Sequence, residues 1–211
     1  NADARLVFYN ADGSVSGACG NATRCVARFL MDQGGKSALR LATDHAVLSA
    51  EDAGRGLTRV NMGAPVLDWA GVPLAERVDL LHLPIDGNPV ATGMGNPHMT
   101  FFVPDAAAVD LERFGPAHEH HPLYPQRTNV EVVQVLSDSE IVLRIWERGT
   151  GITLASGSCS CAAVVAAARR GLTGRRVRVN VPGGQLDIDW REDGVWMTGP
   201  TAHVFDGVWR G

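Results

Sequence analysis

Ala155-Ser156-Gly157-Ser158-Cys159-Ser160-Cys161 runs into Ala162-Ala163-Val164-Val165-Ala166-Ala167-Ala168 and closes on Arg169-Arg170-Gly171. Small hydroxyl residues and a glycine lead in, and two cations and a glycine end the run. These are the start and stop signals of a helix. The stretch from 162 to 168 has no polar face, so the helix is predicted to be buried on every side. Its N-terminus would offer unpaired backbone N–H groups to a nearby anion. A second stretch, Ala18-Cys19-Gly20-Asn21-Ala22-Thr23-Arg24-Cys25, has the same character. The function is expected to lie between these two helix starts.

Working outward, the sequence repeats itself. Phe8-Tyr9-Asn10 precedes Cys19-Gly20 at the spacing by which Ile145-Trp146-Glu147 precedes Ser156-Gly157. Ala18 matches Ala155, both helices close on a glycine (Gly34, Gly171), and each half ends in a glycine-proline turn near Gly63 or Gly199. A duplicated segment accounts for this pattern. Each half would be a sheet wrapped on one apolar helix, and two facing halves would bring both helix N-termini to one cleft. Alternation and turn residues predict strands over 5–9, 39–43, 46–50 and 57–62 in the first half. In the second they predict strands over 81–84, 90–93, 99–103, 130–135, 141–146, 177–181, 186–190, 195–198 and 203–209. A short helix is predicted over 105–114 and a polar loop over 115–127.

The 211 residues are 45% hydrophobic and 20% charged with a net charge of −4, which leaves no basic footprint for nucleic acid. No run approaches the roughly eighteen apolar residues of a membrane span, and no charged-then-apolar leader opens the chain. The four cysteines, 19, 25, 159 and 161, match neither a secreted disulfide framework nor a usual zinc spacing. No metal is expected, and the compartment is expected to be the cytoplasm. Cys25 and Cys161 read as core-facing. His118-Glu119-His120-His121 reads as a solvated loop rather than a metal site.

The chemistry that suits two convergent helix starts is that of a free amino acid. Its α-carboxylate would be drawn to the N–H groups and the positive dipole ends. Holding that group also eases removal of the Cα proton, because charge delocalises into it. A thiol at a helix N-terminus has its pKa lowered from about 8.5 and can serve as the base. One base on each face of Cα inverts the centre with neither metal nor pyridoxal cofactor.

Asn-Ala-Asp-Gly-Ser from Asn10, Cys-Gly-Asn-x-x-Arg-Cys from Cys19 and Gly-Asn-Pro-His from Gly95 occur in that order. They are followed by Gln-Arg-Thr-Asn from Gln126, Glu-Arg-Gly-x-Gly from Glu147 and the small-residue helix start at 156. Together they resemble the diaminopimelate epimerase family over nearly the whole chain. The resemblance implies an α+β fold of two pseudo-twofold related lobes, each a mostly antiparallel sheet around a central helix. The lobes would be residues 1–62 with 203–211, lacking the family's first segment, and residues 63–202. It implies interconversion of LL- and meso-diaminopimelate in lysine and peptidoglycan synthesis by a homodimer acting on a small amino-acid substrate.

By the same resemblance Cys19 is one acid/base residue. Gly20, Asn21, Gly157 and Ser158 hold the reacting carboxylate. Asn10, Asn96, Asn129 and Arg148 bind the distal end, and His98 and Glu147 neighbour the reacting centre. The family's second cysteine falls at position 156, where this chain has Ser156. A hydroxyl is a far weaker acid than a thiol, so proton transfer on that face is expected to be impaired. Two other readings remain open. A Cys/Ser pair resembles hydroxyproline dehydratases of the same fold, and Cys159-Ser160-Cys161 would suit a non-catalytic thiol-redox module.

Overall fold

The computed structural model describes residues 2–9, 13, 15–16, 19–44 and 46–208. The first half holds β1 (Ala4–Arg5), β2 (Phe8–Tyr9), β3 (Val15–Ser16), α1 (Gly20–Gly34), β4 (Ala38–Ala42), β5 (Val47–Gly54) and β6 (Leu57–Asn61). The second half opens with β7 (Val90–Gly93), β8 (Pro97–Phe102), α2 (Leu111–Glu119), β9 (Asn129–Ser137), β10 (Glu140–Glu147) and β11 (Gly151–Thr153). It continues with α3 (Gly157–Arg169), β12 (Arg176–Val181), β13 (Gly184–Arg191) and β14 (Gly194–Pro200).

The apolar run is helix α3, and every residue from Cys159 to Ala167 is fully buried. Its alanines let the sheet close around it. Val164, Val165 and the flanking cysteines pack among Val133, Ile141, Leu143, Ile145, Val177, Val179, Ile188 and Met197. Helix α1 is amphipathic instead. Thr23, Arg24, Ala27 and Met31 face inward, with Ala27 and Met31 in a core with Leu39, Leu41, Ala50 and Val60. Phe29 and Cys25 stay exposed, so the expectation that Cys25 faces the core is corrected. Helix α1 ends where Gly35 turns left-handed at φ 61°, a conformation that glycine adopts without steric cost.

One sheet runs β1-β4-β5-β6-β14-β13-β12-β10-β9-β8-β7, with β11 paired to β10. The two halves join where β6 meets β14 antiparallel, Asn61 opposite Trp196. The β1–β4, β10–β12 and β8–β9 pairs are parallel and the rest antiparallel. The sequence repeat appears in the registers. Phe8 pairs Ser16 and Tyr9 pairs Val15 in the hairpin before α1. Their repeat partners pair identically before α3, Ile145 with Thr153 and Trp146 with Ile152.

Several expected elements differ. The strand over 5–9 is split, because the chain leaves β4 after Arg5 to build the hairpin that feeds α1. Residues 81–84 form no strand; Leu83 plugs a core with Met99, Phe101 and Val130, and its N–H is met by Pro89 O. The short helix begins at Leu111 rather than 105 and runs into the expected loop, reaching Glu119. Gly115 makes this possible by letting the Trp146 ring lie flat against the helix: a Cβ there would be 2.2 Å from that ring. The strand over 203–209 is absent among the described residues. Thr201 to Val204 instead line a cavity together with Cys25 and Phe29 of α1, and position 209 lies outside the described residues.

Candidate active site

The two helix starts are built alike. Cys19 (φ −147°, ψ 98°) and Ser156 (φ −141°, ψ 128°) are extended N-cap residues, and neither side chain caps its own helix. The backbone holds them instead. Cys19 O accepts the Thr23 N–H and hydroxyl, each at 2.9 Å. Ser156 O accepts the Ser160 N–H at 3.1 Å and hydroxyl at 2.8 Å. Neither N-cap side chain takes the first-turn N–H groups, which suits a ligand there.

Gly20 and Gly157 bring these ends together. A Cβ on Gly157 would sit 3.6 Å from Gly20 Cα and 3.0 Å from Met197 Sδ; one on Gly20 would meet Met62 Cε at 2.8 Å. A side chain at either position would press on the Met62 and Met197 side chains that pack beneath the two helix starts. Cys19 is exposed and Ser156 is buried. Asn21 accepts a hydrogen bond from Arg24 Nη1 at 3.0 Å, and Arg24 Nε donates to Pro200 O at 3.2 Å. Burial lowers the Arg24 pKa, while the nearby Cys25 and Cys19 thiols raise it. This buried cation beside Cys19 received no role from the sequence, although it stands in the quoted Cys-Gly-Asn-x-x-Arg pattern.

Behind Ser156 lies a buried polar cluster from β8, β9 and α3. His98 Nδ1 is 2.6 Å from Glu131 Oε1 and its Nε2 is 2.7 Å from Asn96 Oδ1. The Thr100 hydroxyl donates to Glu131 Oε2 at 3.1 Å. The parallel register sets Thr100 opposite Glu131 and His98 opposite Asn129. Side chains two residues apart on a strand share a face, so His98 and Glu131 meet. The Cys159 thiol, the His98 ring and the Glu131 carboxylate lie within 4.8 Å of one another, all fully buried.

Burial, then the Glu131 charge, push the Cys159 thiol well above its ordinary pKa, and the Ser156 hydroxyl only partly offsets them. The Glu147 charge raises this thiol further. His98, Glu131 and Cys159 include metal-ligand types, but both ring nitrogens and both carboxylate oxygens already hold hydrogen-bond partners. The trio is built as a hydrogen-bonded network. Cys161, two residues on, points to another side of α3, and burial pushes it up to about 12. The redox pair is therefore not assembled, and both thiols are free.

Other predicted residues fall at the rim. The Asn129 carboxamide ties backbone to backbone, donating to Pro97 O at 2.9 Å and accepting from Arg148 N at 3.0 Å. It fixes the Glu147–Arg148 corner. Arg148 donates to Gln126 O at 3.1 Å. Ser158 is the half-buried second residue of α3. Asn10 lies outside the described residues.

Glu119 was read as part of a solvated loop and is the clearest correction. Only 3% exposed, it accepts from Trp146 Nε1 at 2.6 Å, Gly149 N at 2.9 Å and Arg127 Nη1 at 3.3 Å. Burial opposes its ionisation, but these partners outweigh it and lower the carboxyl below its ordinary value. It clamps the turn that follows Glu147.

The diaminopimelate epimerase family matches residues 1–67 and 90–204. Diaminopimelate epimerase of Rhodospirillum centenum is 51% identical over 98% of this chain and 72% of its own length. That of Acidiphilium cryptum is 49% identical over 98% of this chain and 76% of its own length. Among solved structures, a hydroxyproline epimerase from Agrobacterium vitis superposes with TM-score 0.65 at 14% identity, over 94% of this chain and 69% of that one. A phenazine biosynthesis protein of Bacillus anthracis gives 0.63 at 13%, over 93% and 76%. Those two likenesses are of fold alone. The fold, the paired helix starts and the sequence relatives agree: the chain belongs to the diaminopimelate epimerase family.

Proposed function

We propose that this chain binds diaminopimelate between its two helix starts and moves the α-proton across Cα, with Cys19 on one face and Ser156 on the other. The observation that supports this reading is the close approach of Gly157 to Gly20, which brings two similarly built N-cap residues near one another at two helix N-termini, where an anion would bind. The first-turn N–H groups hold the reacting carboxylate and draw off the charge that develops as the Cα–H bond breaks. Gly20, Asn21, Gly157 and Ser158 line that end. Asn96 and Arg148 take the distal polar groups, a role the family resemblance also gives Asn10, and Asn129 acts by fixing the Arg148 backbone. His98 and Glu147 shape the polar ground behind Ser156.

The two faces differ in chemistry. A thiol is a few per cent ionised near pH 7, whereas a hydroxyl supplies almost no conjugate base. Turnover that needs both faces is therefore slowed by Ser156. The cytoplasm and a homodimeric state accompany this reading on the strength of the family resemblance. No helix among the described residues is long and apolar enough to cross a membrane.

The test is α-hydrogen exchange in D2O from LL- and from meso-diaminopimelate. Exchange is expected to be fast from the epimer facing Cys19 and slow from the other, and Ser156→Cys is expected to raise epimerisation by several orders of magnitude. Rapid and equal exchange from both epimers in the unaltered chain would overturn the impairment. No exchange and no binding, in the chain and in Ser156→Cys, would overturn the substrate.

A further inference from the structure

The repeat aligns α1 with α3 and exposes one asymmetry beyond the N-caps. Three residues after Cys19 stands Ala22; three residues after Ser156 stands Cys159. The N-cap and the third helical residue are neighbours at a helix start. Thus where the N-cap is itself a thiol the neighbour is inert, and where it is a hydroxyl the neighbour is a buried thiol against a carboxylate. The fully buried cluster of Cys159, Glu131 and His98, all within 4.8 Å, lies directly behind Ser156.

We infer that Cys159 and Glu131 form a proton relay behind Ser156, through which its hydroxyl passes the substrate proton to a buried carboxylate. This rests on the proposed epimerase reading. In the forward step the Cα–H bond breaks and its electron pair stays on the substrate, delocalised into the carboxylate at the helix starts. The proton goes to Ser156 Oγ as the hydroxyl's own proton passes to Cys159 Sγ. The thiol's proton passes in turn to a Glu131 oxygen, which becomes a neutral acid. Reprotonation of Cα runs the same transfers backward, so nothing is oxidised and no co-reactant is needed.

Each link has a partner in place. The Cys159 Sγ lies within 4.8 Å of a Glu131 carboxylate oxygen and belongs to the third residue after Ser156 at the same helix start, and burial keeps it a neutral S–H, able to pass a proton without storing charge. His98 at 2.6 Å and Thr100 at 3.1 Å fix the carboxylate that receives it. Cys159 and Glu131 act through Ser156 and do not touch the substrate.

The test compares Cys159→Ala with Cys159→Ser by α-hydrogen exchange from each epimer separately. A packing role predicts that alanine, apolar in an apolar helix, is the better replacement. A relay predicts that serine is better, because its hydroxyl still donates and accepts. The expected result is that Cys159→Ala loses at least tenfold of the exchange from the epimer facing Ser156 and far less from the other, and that Cys159→Ser recovers most of it. Glu131→Gln should reproduce the one-sided loss and serves if Cys159→Ala does not fold. In the Ser156→Cys background, where the N-cap thiol is its own base, the loss caused by Cys159→Ala should shrink at least tenfold. Equal losses from both epimers, alanine performing as well as serine, or an undiminished loss in the Ser156→Cys background would each overturn the relay. Absence of exchange from both epimers, even with Ser156→Cys, would overturn the epimerase reading and the relay with it.

Discussion

Replacing Glu119 tests whether the corner that carries Glu147 and Arg148 is held by one buried carboxylate. Its two oxygens serve different donors, Oε2 taking Trp146 Nε1 and Oε1 taking Gly149 N and Arg127 Nη1. Glu119→Ala strands the indole and the Gly149 amide in a part-buried site, each costing about 1–2 kcal/mol. The Arg127 side chain is about half exposed, so that pair adds little. The sum is about 2–4 kcal/mol. Glu119→Gln keeps one acceptor oxygen but turns an amide N–H toward the other donor, so about half of that loss is expected.

The sign with pH follows from the depressed folded-state pKa. The carboxylate's contribution is full above its unfolded value and is lost as pH falls through the lower folded value. The stability gap between parent and Glu119→Ala should therefore close on acidification. Urea unfolding at pH 7 and at several acidic pH values measures both effects. A Glu119→Ala chain within 0.5 kcal/mol of the parent at neutral pH (a threshold of about half of one lost hydrogen bond), or a gap that widens in acid, would refute the clamp.

Two further outcomes follow from packing and exposure. Gly115→Ala would place a Cβ 2.2 Å from the Trp146 ring, an overpacking that costs about 1–3 kcal/mol or more and lowers Tm by about 2–4 °C for each of those. An unchanged Tm would mean that α2 does not lie flat on that ring. In the folded protein a soluble alkylating reagent should label Cys19 and Cys25 and leave Cys159 and Cys161 untouched until denaturant is added. Mass spectrometry of the labelled peptides reads this, and early labelling of Cys159 would contradict its burial.

What the sequence disclosed was mostly local. Glycine and hydroxyl residues before an alanine run mark a helix start because a hydroxyl can meet its unpaired N–H groups and a glycine leaves them uncrowded. The repeat carried that reading from one half to the other, and the structure adds matching hairpin registers before α1 and α3. The roles expected of His98 and Ser156 came from the family resemblance, that of Cys19 from the resemblance and its place before a helix. Glu131 was missed for a physical reason. It stands in Asn129-Val130-Glu131-Val132-Val133, a strand buried on both faces, where alternation cannot say which neighbour a carboxylate meets. Only the parallel pairing of β8 with β9 puts it on His98.

Glu119 escaped in the opposite way. Amid three histidines it looked like a solvated residue, because the docking of α2 through Gly115 onto Trp146 depends on a strand far along the chain. The sequence by itself determined the two helix starts, their kinship and the substitution of hydroxyl for thiol at 156. The tertiary structure decided what stands behind that hydroxyl. Burial and hydrogen bonding are properties of residues brought together from distant strands, and no spacing within one segment can express them.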